Sequence, residues 1–196
     1  MTPPYTACVL QPRYPITTER LLLRPFTEAD LDAVHAYESR PDVARYLYWQ
    51  PRDRDTSRTF LDKKITRTAV HDEGDALDLA ITLRHTGPDN GRVIGSVLLI
   101  WTSKEHRQGE IGYILHPDHH GHGYAAEAAR VMLHLGFHDL GLHRITGRLD
   151  ARNTASARVL EKLHMRREAT LIDNEFVKGE WASEAIYAIL DTEWAA

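Results

Sequence analysis

The chain has 196 residues, 42% hydrophobic and 27% charged, the proportions of an ordinary globular domain with enough length for a substantial core. A formal net charge of −4 at pH 7 offers no basic field for nucleic acid, and no apolar run nears the roughly 20 residues of a membrane helix. The single cysteine, Cys8, excludes an intramolecular disulfide and a cysteine metal cluster, so a reducing cytoplasm is the expected setting.

Residues 1–16 are proline-rich and lack the basic-then-apolar pattern of a signal peptide, which predicts a loosely ordered lead-in. Leu21, Leu22 and Leu23 read as a short strand. Thr27 caps a helix, with Asp30 at the capping-box position and Leu31, Val34 and Tyr37 near helical spacing. Pro41 opens a short helix carrying Val43, Ala44 and Leu47. Residues 55–70 predict a longer helix, with Phe60, Leu61, Ile65 and Ala69 on one stripe.

A strand over 77–83 follows, then a turn signal at 86–91, a central strand over 92–101 and another over 110–115. A helix over 124–138, a strand over 144–149, a helix after Arg152 and two closing strands complete the order. No repeat or internal linker interrupts residues 17–194, so 1–196 reads as one domain, a mixed α/β sheet with helices on both faces.

The segment between the strand 110–115 and the next helix carries the chemistry. Gly121 and Gly123 lack a Cβ and let the backbone approach an anion closely. The unpaired amides of the helix that starts there point at that anion, with the positive end of the helix dipole behind them. The segment is a phosphate cradle. Gly121-x-Gly123-x-x-Ala126 also fits a dinucleotide fingerprint, with Asp150 as a ribose ligand, and that leaves a nicotinamide oxidoreductase as one alternative.

Other residues stand out by their company. Strand alternation puts Glu110, Gly112 and Ile114 on one face, so Glu110 is either a working acid or a solvated strand end. Glu175, beside Asp173 and Asn174, reads as a carboxylate on a polar loop. Ser156 falls in register with Val159, Leu160 and Leu163, so its hydroxyl must bond back into its own helix or face a ligand. Asn153 also fits a helix N-cap. Tyr46, Tyr48 and Trp49 are either pocket or core aromatics.

Asp118-x-x-Gly121-x-Gly123 resembles the acetyl-CoA pyrophosphate loop of the GCN5-related N-acetyltransferases (GNAT). Thr18-Glu19-Arg20-Leu21-Leu22-Leu23-Arg24-Pro25, Asn153-x-x-Ser156 and Lys178-Gly179-Glu180-Trp181 resemble elements of the RimJ/RimL-type branch, in the same order. The resemblance implies a GNAT-like, mostly antiparallel sheet with a splayed pair of central strands. It also implies acetyl-CoA as donor and a small-molecule or peptide amine as acceptor, with direct attack and no metal, nucleic acid or membrane partner. A homodimer is compatible with it.

By the same resemblance, the amides of Gly121, His122, Gly123, Tyr124 and Ala125 hold the pyrophosphate, and Leu115 and His116 pair by backbone with the pantetheine. Asn153 and Ser156 lie beside the sulfur, Ser156 protonates the leaving thiolate, and Glu110 or Glu175 is the base. Two positions depart from the pattern: Asp118 replaces a Gln or Arg, and His164 stands where a glycine normally ends the second helix. A metal on His116, His119, His120 and His122 is disfavoured because adjacent histidines point apart, and these imidazoles read instead as partly protonated neighbours of an anion. The remaining alternative is a CoA-binding sensor without turnover.

Overall fold

The computed structural model describes residues 9–84 and 91–194; Cys8 and residues 86–90 of the expected turn lie outside them. Strands β1 (Ile16–Thr17) and β2 (Leu21–Arg24) lead through a 3-10 turn (Glu28–Asp30) into α1 (Leu31–Glu38), α2 (Pro41–Ala44) and α3 (Arg54–Thr66). Strands β3 (Ala76–Leu83), β4 (Val93–Ser103) and β5 (Gln108–Leu115) precede α4 (Tyr124–His134). After β6 (Arg144–Asp150) come α5 (Thr154–Lys162), β7 (Arg166–Val177) and β8 (Glu180–Leu190).

The eight strands form one sheet in the order β1-β2-β3-β4-β5-β6-β8-β7. Only β5 and β6 run parallel, and they pair only from Gln108 to Glu110. Beyond Glu110 the two strands part, which gives the mixed, mostly antiparallel sheet with its splayed centre. One face is covered by α4 and α5: Ala128, Ala129, Met132, Leu133, Leu160 and Leu163 pack on Leu79, Val97, Leu99, Ile111 and Ile145. On the other face α1 and α3 bring Val34, Tyr37 and Leu61 against Ala80. That cover does not extend across the sheet, and Leu98, Ile100, Glu110 and Gly112 on central strands stay half-exposed.

The capping box forms as the sequence predicts: the Asp30 carboxylate accepts from the Thr27 amide at 2.8 Å. Three expectations need correction. The stripe over 55–70 overruns the helix, which ends at Thr66, because Val70 is drawn into a two-way backbone bridge with Leu10 (2.9 Å each). Residues 9–16 are not loose: Leu10 is buried, and the Tyr14 hydroxyl donates to the Thr68 carbonyl at 2.7 Å. Glu175 is not on a polar loop but in β7, just past an irregularity in its pairing with β8.

Candidate active site

Gly121 and Gly123 both take left-handed backbone, with φ of 81° and 82°, and Gly123 is the N-cap of α4. Tyr124 and Ala125 are therefore the first residues of the helix, where amides have no intrahelical acceptor. The Asp118 side chain is 76% exposed, so solvent screens its charge. The loop is pinned from the side by a network that sequence reading missed. Arg20 donates to the His122 carbonyl at 2.8 Å and to Glu127 at 2.7 Å, and Thr18 donates to Glu127 at 2.6 Å. Burial pushes the Glu127 pKa up, but these hydrogen bonds outweigh it and hold the carboxyl below its ordinary value. The Tyr124 ring is met by the Arg20 guanidinium at 5.0 Å and by a stacked His122 ring at 5.4 Å.

His116 departs from its expected part. Its amide is taken, donating to Ile94 at 2.8 Å, while its carbonyl accepts from His119 at 2.9 Å, one of the two bonds a carbonyl can accept. Burial also lowers its pKa, so this imidazole takes up a proton less readily than a free one. In an antiparallel ladder alternate residues turn their backbone groups to opposite edges. With His116 bonded to β4, Leu115 and Tyr113 turn theirs toward the gap beside β6, although the Leu115 carbonyl is met by the His120 ring at 3.1 Å.

Across that gap stands the start of α5. Asn153 is its N-cap, accepting from the Ser156 amide at 3.1 Å. Ser156 has a partner that its periodicity did not suggest. Its Oγ pairs with the Tyr113 hydroxyl at 3.0 Å, and the same hydroxyl donates to the Ser156 carbonyl at 2.9 Å. Helical periodicity is blind to this partner because it comes from a strand 43 residues away. Burial raises the Tyr113 pKa.

The opposite face of the sheet gathers the carboxylates. Glu110 is interior to β5, not at its start; burial raises its pKa, Arg148 pulls it down and Glu184 pushes it up. Glu184 on β8, only 3% exposed, accepts from Arg148 at 2.9 and 2.6 Å and from the Tyr48 hydroxyl at 3.3 Å. Tyr48 is raised to about 12, first by burial and then by Glu184 and Glu175. A cavity of about 30 Å³ lies here, lined by Tyr46, Tyr48, Asp150, Glu175, Lys178 and Glu184 among others. Two clasps close it: the Tyr48–Glu184 bond and a bond from Lys178 to the Ala44 carbonyl. Asp150 is held by Arg152 at 2.7 Å in this wall, so it is no ribose ligand. Trp49 is not in the wall and stacks instead on Arg52. The signal for Glu184 was in the sequence: an acid in the interior of a strand, among the small and apolar residues Ala182, Ala185 and Ile186.

A glycine loop feeding an open gap, with a carboxylate on one face and a hydroxyl pair on the other, is the equipment of a group-transferring α/β enzyme. A family model described as Acetyltransferase (GNAT) domain matches residues 20–166. The uncharacterized N-acetyltransferase YnaD of Bacillus subtilis strain 168 is 35% identical over 181 residues, 91% of this chain and 98% of that protein. The crystal structure of a GNAT-family acetyltransferase from Bacillus anthracis matches with a TM-score of 0.77 at 34% identity, covering 91% of this chain and 99% of that one. Spermidine N(1)-acetyltransferase of Escherichia coli K12 is 25% identical over 174 residues, 89% of this chain and 88% of that protein.

The chain therefore belongs to the GNAT acetyltransferase family. It is an N-acetyltransferase acting on an amine, which sets aside both the sensor and the nicotinamide readings.

Proposed function

We propose that the chain transfers acetyl from acetyl-CoA to the primary amine of a small molecule or peptide, with Glu110 as base and Ser156 as acid. One observation carries the reading: the gap past Glu110 has that carboxylate on one face of the sheet and the Tyr113–Ser156 pair at the other. The amides of Gly121, His122, Gly123, Tyr124 and Ala125 hold the pyrophosphate. The edge of β5 at Tyr113 and Leu115 extends along the pantetheine as a strand would.

The amine enters over the Glu110 face and its nitrogen attacks the thioester carbonyl carbon. Before that attack Glu110 takes the proton that an ordinary amine carries at neutral pH, which frees the nitrogen lone pair. The tetrahedral intermediate collapses with loss of the C–S bond, the sulfur takes the Ser156 hydroxyl proton, and the second proton shed by the attacking nitrogen restores Ser156 through water. A base with a raised pKa suits this task, because a stronger base removes the proton more readily.

Glu175, two strands from the gap, belongs with Asp150 and Glu184 to an acceptor bay whose carboxylates favour a cationic amine. The spermidine N(1)-acetyltransferase relative is named for such an amine. The RimJ/RimL-like motifs and the cysteine-poor composition support an intracellular enzyme of that branch.

The test is thiol release from acetyl-CoA across a panel of polyamines, amino sugars and peptide N-termini. Glu110→Gln lowers kcat by about 10²–10⁴ with acetyl-CoA affinity retained. A Glu110→Gln enzyme as fast as wild type removes Glu110 from the reaction, and no thiol release with any amine removes the acceptor class.

A further inference from the structure

Gly112 stands in the interior of β5, where a glycine weakens a strand by offering no side chain and losing the most backbone freedom. Two demands ordinarily explain such a residue, a left-handed φ or a neighbour too close for a Cβ. Neither applies. Its φ is not positive, and an added Cβ would meet only Leu98, at an ordinary 3.8 Å. Elsewhere the second demand is plain: a Cβ at Gly95, Gly109, Gly136 or Gly147 would come within 2.2, 2.5, 2.6 or 2.9 Å of another atom. Among the described glycines, Gly112 alone carries neither constraint. Room is being kept open on the face that a side chain would fill.

That room has a definite character and place. Gly112 shares a face with Glu110 and Ile114 and pairs with Leu98. Leu98, Ile100 and Ile114 are half-exposed although they stand on central strands of an eight-stranded sheet. An aliphatic trough at a sheet's centre is a place for apolar ligand surface. It also adjoins the gap. A ligand lying along the edge of β5 from the glycine loop passes Leu115 and Tyr113, and reaches Gly112 just before the sheet rejoins at Glu110.

We infer that Gly112 is a specificity-determining position. The notch over it, walled by Leu98, Ile100 and Ile114, receives the alkyl end of the acyl group on the donor thioester, with room for chains longer than acetyl. A chain ending in a carboxylate is excluded by the apolar walls and by Glu110 on the same face. The inference rests on the proposed reading of the gap as the thioester track.

The experiment titrates wild type, Gly112→Ala and Gly112→Val calorimetrically with acetyl-, propionyl-, butyryl- and succinyl-CoA, and measures kcat/KM for the same donors with one amine. In wild type each methylene tightens binding by about fourfold, the value of burying one CH₂, and succinyl-CoA does not gain. In Gly112→Val the ladder disappears, and the butyryl-to-acetyl ratio of kcat/KM falls by about fifteenfold, the burial of two methylenes. A flat ladder in wild type overturns the inference, as does a ratio unchanged in both variants. So does length selectivity that follows the amine rather than the donor. A wild type with the ladder but no turnover overturns the proposed reaction and leaves the notch standing. Thermal melts guard against a merely structural glycine: Gly112→Ala melts at or above wild type, whereas Gly95→Ala, driven against the Ile114 carbonyl, melts lower. Equal damage in the two variants overturns the inference.

Discussion

His164 takes a φ of 60° at the end of α5, where the Met165 amide reaches back to the Leu160 carbonyl at 3.1 Å and closes the helix. The helix thus ends as the family's glycine would end it, and histidine bears the left-handed strain. The strain is worth about 1–2 kcal/mol, and the added freedom of an unfolded glycine takes back about 0.4–1. His164→Gly is expected to gain about 0.5–1 kcal/mol, read as a Tm higher by about 1–4 °C. A lower Tm means that the imidazole contributes more than its backbone loses. Glu110 makes the opposite trade. Its folded pKa lies above its ordinary 4.5, so just above that value the unfolded chain ionises first. Its stability contribution is full below that window and is lost as pH rises through it. Glu110→Gln should therefore be the more stable protein near neutral pH and lose its advantage near pH 4, as denaturant midpoints at the two pH values would report. The same variant should flatten the acid limb of kcat/KM. An advantage equal at both pH values means that burial of the charge is not the cause. Strand alternation placed Glu110 with Gly112 and Ile114 but left open whether it was a strand end; the pairing of Tyr113 with Ser156 was not legible, because it joins two elements 43 residues apart.

The segment between α2 and α3 is short of regular structure, and besides the Tyr48 and Lys178 clasps a buried ion pair holds it. Arg52 donates to Glu38 at 2.7 Å, lies 3.5 Å from the Phe60 ring centre and 4.2 Å from that of Trp49, and bonds through its amide to the Glu38 carbonyl at 3.0 Å. Both charged side chains are buried, at 9% and 1% exposure. Removing one partner strands the other charge in a dry site. Arg52→Ala is expected to lose about 3–5 kcal/mol, and the paired change Glu38→Gln with Arg52→Met to recover most of it. Denaturant midpoints decide; a loss under about 1 kcal/mol in the single variant means that the pair is solvated in solution. Because this segment carries Tyr46 and Tyr48, the single variant should also loosen the acceptor bay and raise KM for the amine. At this scale the sequence read well wherever a local rule governs. The capping box at Thr27, Pro41 at a helix start and Asn153 as an N-cap all act within one turn of chain. It read poorly at 66–70, where Val70 leaves a helical stripe to pair with Leu10, because that bond lies 60 residues back along the chain.

The order of strands and helices was legible from the chain because each element has its own periodicity and punctuation. The parting of β5 from β6 was not: nothing within either strand records that their pairing stops at Glu110, and only the resemblance implied a splay. That parting is what sets a carboxylate and a hydroxyl pair on opposite sides of one slot. It also leaves a signature that needs no acceptor amine. The amides of Gly112, Ile114 and His116 turn toward β4, whereas those of Tyr113 and Leu115 turn toward the gap. Amide hydrogen exchange in the free protein should therefore alternate along β5, slow at 112, 114 and 116 and fast at 113 and 115. With saturating acetyl-CoA the two fast amides should slow, since the pantetheine takes the place of the absent strand. At 100 times Kd the ligand stabilises the fold by about 2.7 kcal/mol, which for a chain of this size raises Tm by about 5–10 °C. The two readouts separate two errors. A Tm rise without slowing at 113 and 115 would place the donor elsewhere than along β5. Slowing confined to Gly121–Ala125 would mean that the loop holds the phosphates while the pantetheine takes another path, and the roles given to Glu110, Ser156 and Gly112 would fall together.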